Sequence, residues 1–165
     1  MSADERVATV RLSYGAARTI SREAQASMWD GNETGGILLG DYGNDGSVRI
    51  RFAGTPGINA VRRQDFFLRD LEHTRSYAEH CFHRYGVVWV GEWHTHPGHA
   101  PVPSIRDLAT YDAMLTDPDL RFGAEFIAII SAPSHQNPVR WDLAAWACVG
   151  LTYRPLPIER HAATD

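Results

Sequence analysis

The chain has 165 residues, a mass of 18.4 kDa, a formal net charge of −4 and a pI near 6.0. That length suits one domain burying about 68–70% of its unfolded surface, and falls short of the roughly 250 residues of a TIM barrel. With 44% hydrophobic and 22% charged residues the chain is not disordered, collagenous or coiled-coil, and its acidic balance argues against a nucleic-acid partner.

The first ten residues, MSADERVATV, carry acids where a signal peptide needs bases before an apolar stretch. Apolar runs such as FIAII (126–130) and LAAWACVGL (143–151) are too short to span a bilayer. A cytoplasmic protein with no membrane partner is expected, folded as a single domain over 1–165 with its core at about 7–153. Residues 7–13 (VATVRLS) alternate as a strand does. Ala17, Ile20, Ala24 and Met28 recur at helical spacing across 16–29, with Ser21 a candidate internal cap. TGGILLGDY (34–42), the turn signal GNDG (43–46) and SVRIRFAG (47–54) read as a hairpin.

Residues 55–68 carry no clear pattern. Leu71, Ala78, Cys81, Phe82 and Tyr85 give a helix over 70–85. VVWVGEWHTH (87–96) reads as a central strand stopped by Pro97, and GHAPVP (98–103) as a loop. Ser104 then opens a helix with Ile105, Leu108, Ala109 and Leu115 on one face. AEFIAIISA (124–132) is a buried strand, and 139–153 is one long strand or two. The sum is an α/β layered domain on a mixed or antiparallel sheet. Cys81 and Cys148 read as buried small hydrophobes, and all 16 basic residues are arginine. A chain without lysine offers no side-chain amine to a ubiquitin-type ligase, although nucleotide bias is the plainer explanation.

The chemistry concentrates around two histidines. Strand side chains repeat every two residues, so His94 and His96 share a face, as Trp89 and Trp93 would share the opposite one. Two imidazoles ahead of a strand-stopping proline suit a divalent metal, zinc foremost. Asp107, eleven residues after His96, lies in the first turn of the next helix and can complete a three-ligand site with one open position. Ser104 and Asp107 also read as a helix cap, and the two readings are compatible. Two glutamates compete for the role of proton acceptor. Glu92 shares the face of His94 in a regular strand and could instead hold an imidazole N–H. Glu33 precedes Gly35 and Gly36, whose missing side chains allow close approach of another backbone or a substrate tail. Spacing alone does not bring Glu33 to His94, 61 residues away.

Glu33 with its TGGILLG context, His94-Thr95-His96-Pro97 and Ser104-Ile105-Arg106-Asp107 together resemble the JAMM/MPN metalloprotease family, whose pattern is E…H-[ST]-H-P-x(6)-S-x-x-D. The GEWHTHP form is most similar to its prokaryotic JAB branch. The resemblance implies a bent mixed β-sheet flanked by helices and one catalytic Zn2+ on His94, His96 and Asp107. It further implies Glu33 as the proton-transferring base and Ser104 as donor to the tetrahedral oxyanion. The substrate implied is a ubiquitin-like protein, cleaved after its C-terminal glycine, in deconjugation or precursor processing. E1-like and E2-like enzymes of a bacterial conjugation operon would be partners, with antiphage defence a possible setting. Two alternatives stand beside it: processing of a sulfur-carrier protein, and a catalytically silent MPN scaffold.

Overall fold

The structure is a computed structural model that describes residues 6–137 and 140–161. The N-terminal acids Asp4 and Glu5 and the first residue of the 139–153 stretch lie outside the described residues. The elements are β1 (Thr9–Ser13), α1 (Tyr14–Asp30), β2 (Gly35–Tyr42), β3 (Ser47–Ala53), β4 (Val61–Arg63), β5 (Phe66–Leu68), α2 (Leu71–Tyr85), β6 (Val88–Thr95), α3 (Ile105–Thr116), β7 (Phe126–Pro133), β8 (Trp141–Val149), β9 (Thr152–Leu156) and β10 (Ile158–His161). Eight strands form one mixed sheet in the order β10-β1-β3-β2-β6-β7-β8-β9, with β1–β10, β1–β3 and β6–β7 parallel. The stretch 152–161 pairs with β8 through its first half and with β1 through its second. One continuous run of chain therefore joins the two edges, and the sheet curls on itself.

One face of the sheet carries α1, which packs Ala16, Ala17 and Ile20 against Leu38, Val48, Ile50 and Trp93 and also buries Ala24. The other face carries α2, against Ile37 and Leu39, and α3, whose Leu108 and Tyr111 pack on Phe126, Ala128 and Cys148. The helix termini are set locally. Ser13 caps α1, its Oγ accepting from Ala16 N at 3.1 Å, and Gly31 ends it at φ 69°.

Several expectations shift. The cap of α1 is Ser13 rather than Ser21, and Met28 is exposed. Along α2, Thr74 and Cys81 are buried with Tyr77 and Ala78 beside them, while Leu71, Phe82 and Tyr85 point outward. On α3 the inward residues are Leu108 and Tyr111, not Ile105 and Ala109. The 139–153 stretch contributes two strands, turning at Gly150. The ordered fold also runs past residue 153, because β10 supplies the second neighbour of β1. Residues 55–68 contain the β4–β5 hairpin, a small separate sheet.

The GNDG turn and the β2–β3 hairpin are as expected. Trp93 lies on the face opposite the histidines as expected, packed on the α1 side, but Trp89 does not join it. Ile37 pairs with Glu92 while Leu39 pairs with Trp89, so a register shift at Leu38/Leu39 puts one extra residue into β6. That bulge reverses the alternation and turns Trp89 to the face of Glu92.

Candidate active site

β6 runs down the middle of the sheet and ends under the start of α3. His94 is its penultimate residue, and His96 follows it directly. Both rings are buried, on the face that carries α2 and α3. Their Nε2 atoms face each other at 2.9 Å. Asp107 Oδ2 lies 3.6 Å from the first and 3.5 Å from the second. The three possible ligand atoms fall within 4.8 Å of one another. Two imidazole nitrogens and one carboxylate oxygen form a donor set suited to zinc. The far side of each ring is also engaged. His96 Nδ1 lies 3.0 Å from the Ala100 carbonyl, which accepts its proton and leaves Nε2 with a lone pair. His94 Nδ1 lies 3.3 Å from Tyr111 Oη. On these observations the residues fit a divalent ion.

A capping box holds Asp107. Ser104 N donates to Asp107 Oδ2 at 2.7 Å, and Asp107 N donates to Ser104 Oγ at 3.1 Å. The cap uses Ser104 Oγ as acceptor only, so its own proton remains available to another group. Burial works to raise the Asp107 pKa, but the neighbouring His94 and His96 imidazoles and Ser104 hold it well below the usual carboxylate range. Burial pushes His94 down. Burial also opposes protonation of His96, yet Asp107 and the Ala100 carbonyl raise it overall.

Glu33 lies in the same cavity of about 810 Å³ as His94, His96, Ser104 and Asp107. Its carboxyl is pushed up to about 7, first by burial and then by the charges of Asp107 and Asp65, against the pull of His96 and Arg106. Such a group can exchange a proton at neutral pH. Its backbone is fixed on two sides. Glu33 N donates to Arg63 O at 2.7 Å, and Arg62 Nε donates to Glu33 O at 3.1 Å. Next in the chain, Thr34 N donates to Thr95 Oγ1 at 2.9 Å and Thr95 N to Thr34 O at 2.8 Å. The hydroxyl between the two ligand histidines thus pins the Glu33 loop to their strand.

Glu92 has a different partner from those the sequence offered. It is ion-paired with Arg69, whose guanidinium also lies 5.4 Å over the Trp89 ring, and neither imidazole uses it. At Gly35 and Gly36 the missing side chains admit the protein's own backbone closely. A Cβ at Gly35 would meet Trp93 O at 2.4 Å and Phe67 at 2.9 Å, and one at Gly36 would meet Gly54 O at 2.2 Å. Both cysteines are buried thiols, with Cys148 pushed up to about 12 by burial first, so neither is a nucleophile. His73, His99 and His135 are exposed, and His161 is half-buried. Sequence reading missed Arg69 and Tyr111 altogether. Tyr111 stands one helical turn after Asp107, a spacing too common to single it out.

The family model described as prokaryotic homologs of the JAB domain matches residues 16–148. This chain belongs to the prokaryotic JAB family. Among its relatives is a "CD-NTase/cGAS isopeptidase" of Enterobacter hormaechei subsp. hoffmannii, 36% identical over 89 residues, which are 53% of this chain and 49% of the relative. A protein of the same name from Escherichia coli is 32% identical over 81 residues, 48% of this chain and 51% of that one. The match therefore spans about half the length of each isopeptidase. The "Probable metalloprotease y4qB" of Sinorhizobium fredii is 29% identical over 143 residues, 84% of each chain. Protein DSY2949 from Desulfitobacterium hafniense superposes with a TM-score of 0.66 at 17% identity, covering 95% of this chain and 96% of its own, a likeness of fold. Membership and likeness agree with the bent, helix-flanked MPN-like sheet.

Proposed function

We propose that this JAB-family chain is a zinc-dependent isopeptidase or peptidase that cleaves after the C-terminal tail of a ubiquitin-like protein. The observation that carries the reading is the convergence of His94 Nε2, His96 Nε2 and Asp107 Oδ2 in one cavity with a glutamate poised near neutrality. His94, His96 and Asp107 would hold the ion. A zinc ion held there would supply Lewis acidity to the scissile carbonyl and to the attacking water. Glu33 takes the water's proton and returns it to the leaving amine. Ser104 turns its unused hydroxyl proton toward the oxygen that gains charge as the carbonyl becomes tetrahedral. Arg69 and Glu92 neutralise each other and form part of the cavity wall.

Three things support the peptidase class: the family, the relative named as a metalloprotease and the two named as isopeptidases. The isopeptidase names favour an amide made to a side-chain amine. A lysine-free chain also suits work beside a ligase, since it offers that ligase no side-chain acceptor. On this reading its partners are conjugates of a ubiquitin-like protein, made by E1-like and E2-like enzymes, with a role in antiphage defence.

The test uses a ubiquitin-like protein whose C-terminal glycine is joined to the Nε of a lysine peptide. Cleavage followed by mass spectrometry should release the free tail, stop with a chelator and return with zinc. Zinc-loaded protein that cleaves neither this conjugate nor a linear C-terminal extension would leave a non-catalytic MPN module instead.

A further inference from the structure

We infer that Tyr111 is a positioning residue for metal binding: its phenol oxygen receives the Nδ1 proton of His94 and so keeps the lone pair of that ring on Nε2. The inference rests on the reading above that His94 is a metal ligand. A neutral imidazole carries one proton, and only the bare nitrogen can bind a metal. For His96 the Ala100 carbonyl settles the choice, since a carbonyl can only accept. Among the described residues, no carbonyl or carboxylate is hydrogen-bonded to His94 Nδ1. Glu92, the nearest candidate in sequence, is committed to Arg69. The polar atom that the structure offers there is Tyr111 Oη, at 3.3 Å.

The phenol is held in place by packing. Tyr111 is 2% exposed and stacks on Phe126, ring centroids 4.5 Å apart and planes 15° from parallel. It stands four residues after Asp107 on α3. One helical turn therefore delivers both a ligand and the group that orients a second ligand, so the two cannot drift apart. The hydroxyl is the only atom by which Tyr differs from Phe, so the role can be removed without disturbing the stack.

The test is zinc affinity, by competition with a chromogenic chelator, of the wild-type protein and of Tyr111→Phe, with the metal-free melting temperature of each as the control for folding. The inference expects Tyr111→Phe to bind zinc about 10- to 100-fold more weakly. Its metal-free stability should be close to that of wild type. Tyr111→Leu, which also removes the stack, should lose stability as well. A loss of at least about fivefold in Tyr111→Phe bears the inference out, and a smaller one overturns it. A residue serving only as packing would leave the Phe variant unchanged. Nitrogen NMR of His94 in metal-free wild-type protein gives a second reading that needs no variant. The Nδ1–H tautomer is expected, and a dominant Nε2–H tautomer overturns the inference. A wild-type protein that takes up no zinc would instead sink the proposed function itself.

Discussion

Glu33 carries the most exposed commitment at the level of single residues. Burial raises its carboxyl to about 7 in the metal-free cavity and a bound dication would pull it down, so the basic form gains population as pH rises and kcat should climb along an acidic limb that lies below pH 7. Glu33→Gln should keep zinc and fold but lose about 10²–10⁴ in kcat; a variant retaining wild-type turnover would move the base elsewhere. The same shift has a stability consequence. A carboxyl whose folded pKa lies above its unfolded value favours the fold below the unfolded pKa and loses that contribution as pH rises through the folded one. In metal-free protein above pH 7, Glu33→Gln should therefore be more stable than wild type by on the order of 1–3 kcal/mol, measured by urea denaturation. Ser104 is a cap in the structure and an oxyanion donor in the proposal. Ser104→Ala should cost about 1 kcal/mol as a cap. It should also lower kcat roughly 10²–10³-fold as a donor, and Ser104→Thr should restore both. Activity that falls only with the folded fraction would leave the cap alone. Glu33 and Ser104 took their catalytic roles from the family resemblance alone, while His94, His96 and Asp107 were nameable from residue type and spacing. Tyr111 and Arg69 were not, since a phenol on a helix and an arginine before one fit many ordinary roles.

Among the elements, β6 and the start of β2 decide whether the ligands meet. Gly35 pairs with His94, and a methyl group there would meet Trp93 O at 2.4 Å and His94 Cβ at 2.9 Å. Gly35→Ala should destabilise the fold by about 1–3 kcal/mol and lower zinc occupancy together, read by chemical denaturation and metal analysis. Zinc binding at wild-type level in that variant would show that the strand yields without moving the histidine. The two-residue period placed His94 and His96 on one face correctly, since the bulge lies upstream of both. The same period misplaced Trp89, which stands on the far side of the bulge. Periodicity also misjudged which faces of α2 and α3 turn inward. Leu71, Phe82 and Ile105 have the right spacing but stand where the sheet does not reach, or at the cavity mouth. The β4–β5 hairpin is too short, with three residues in each strand, to leave a readable pattern.

For the whole molecule, the curled sheet brings three separate segments together: the loop before β2, the end of β6 and the start of α3. The last strand, β10, was not legible, because Pro157 interrupts the pattern and its partner β1 is at the other end of the chain. No described helix is long and apolar enough to cross a membrane. A metal that binds only the folded state stabilises it by mass action, by about 4 kcal/mol at a thousandfold excess over Kd. Chelation should accordingly lower the melting temperature of zinc-loaded wild-type protein, and should leave His94→Ala unchanged. The most direct measurement is anomalous diffraction at the zinc edge from crystals of the loaded protein. It should reveal one ion at about 2.0–2.2 Å from His94 Nε2, His96 Nε2 and an Asp107 oxygen, with Glu33 beside it and uncoordinated. An ion elsewhere, or a fourth protein side chain closing the coordination, would contradict a hydrolytic centre in this cavity.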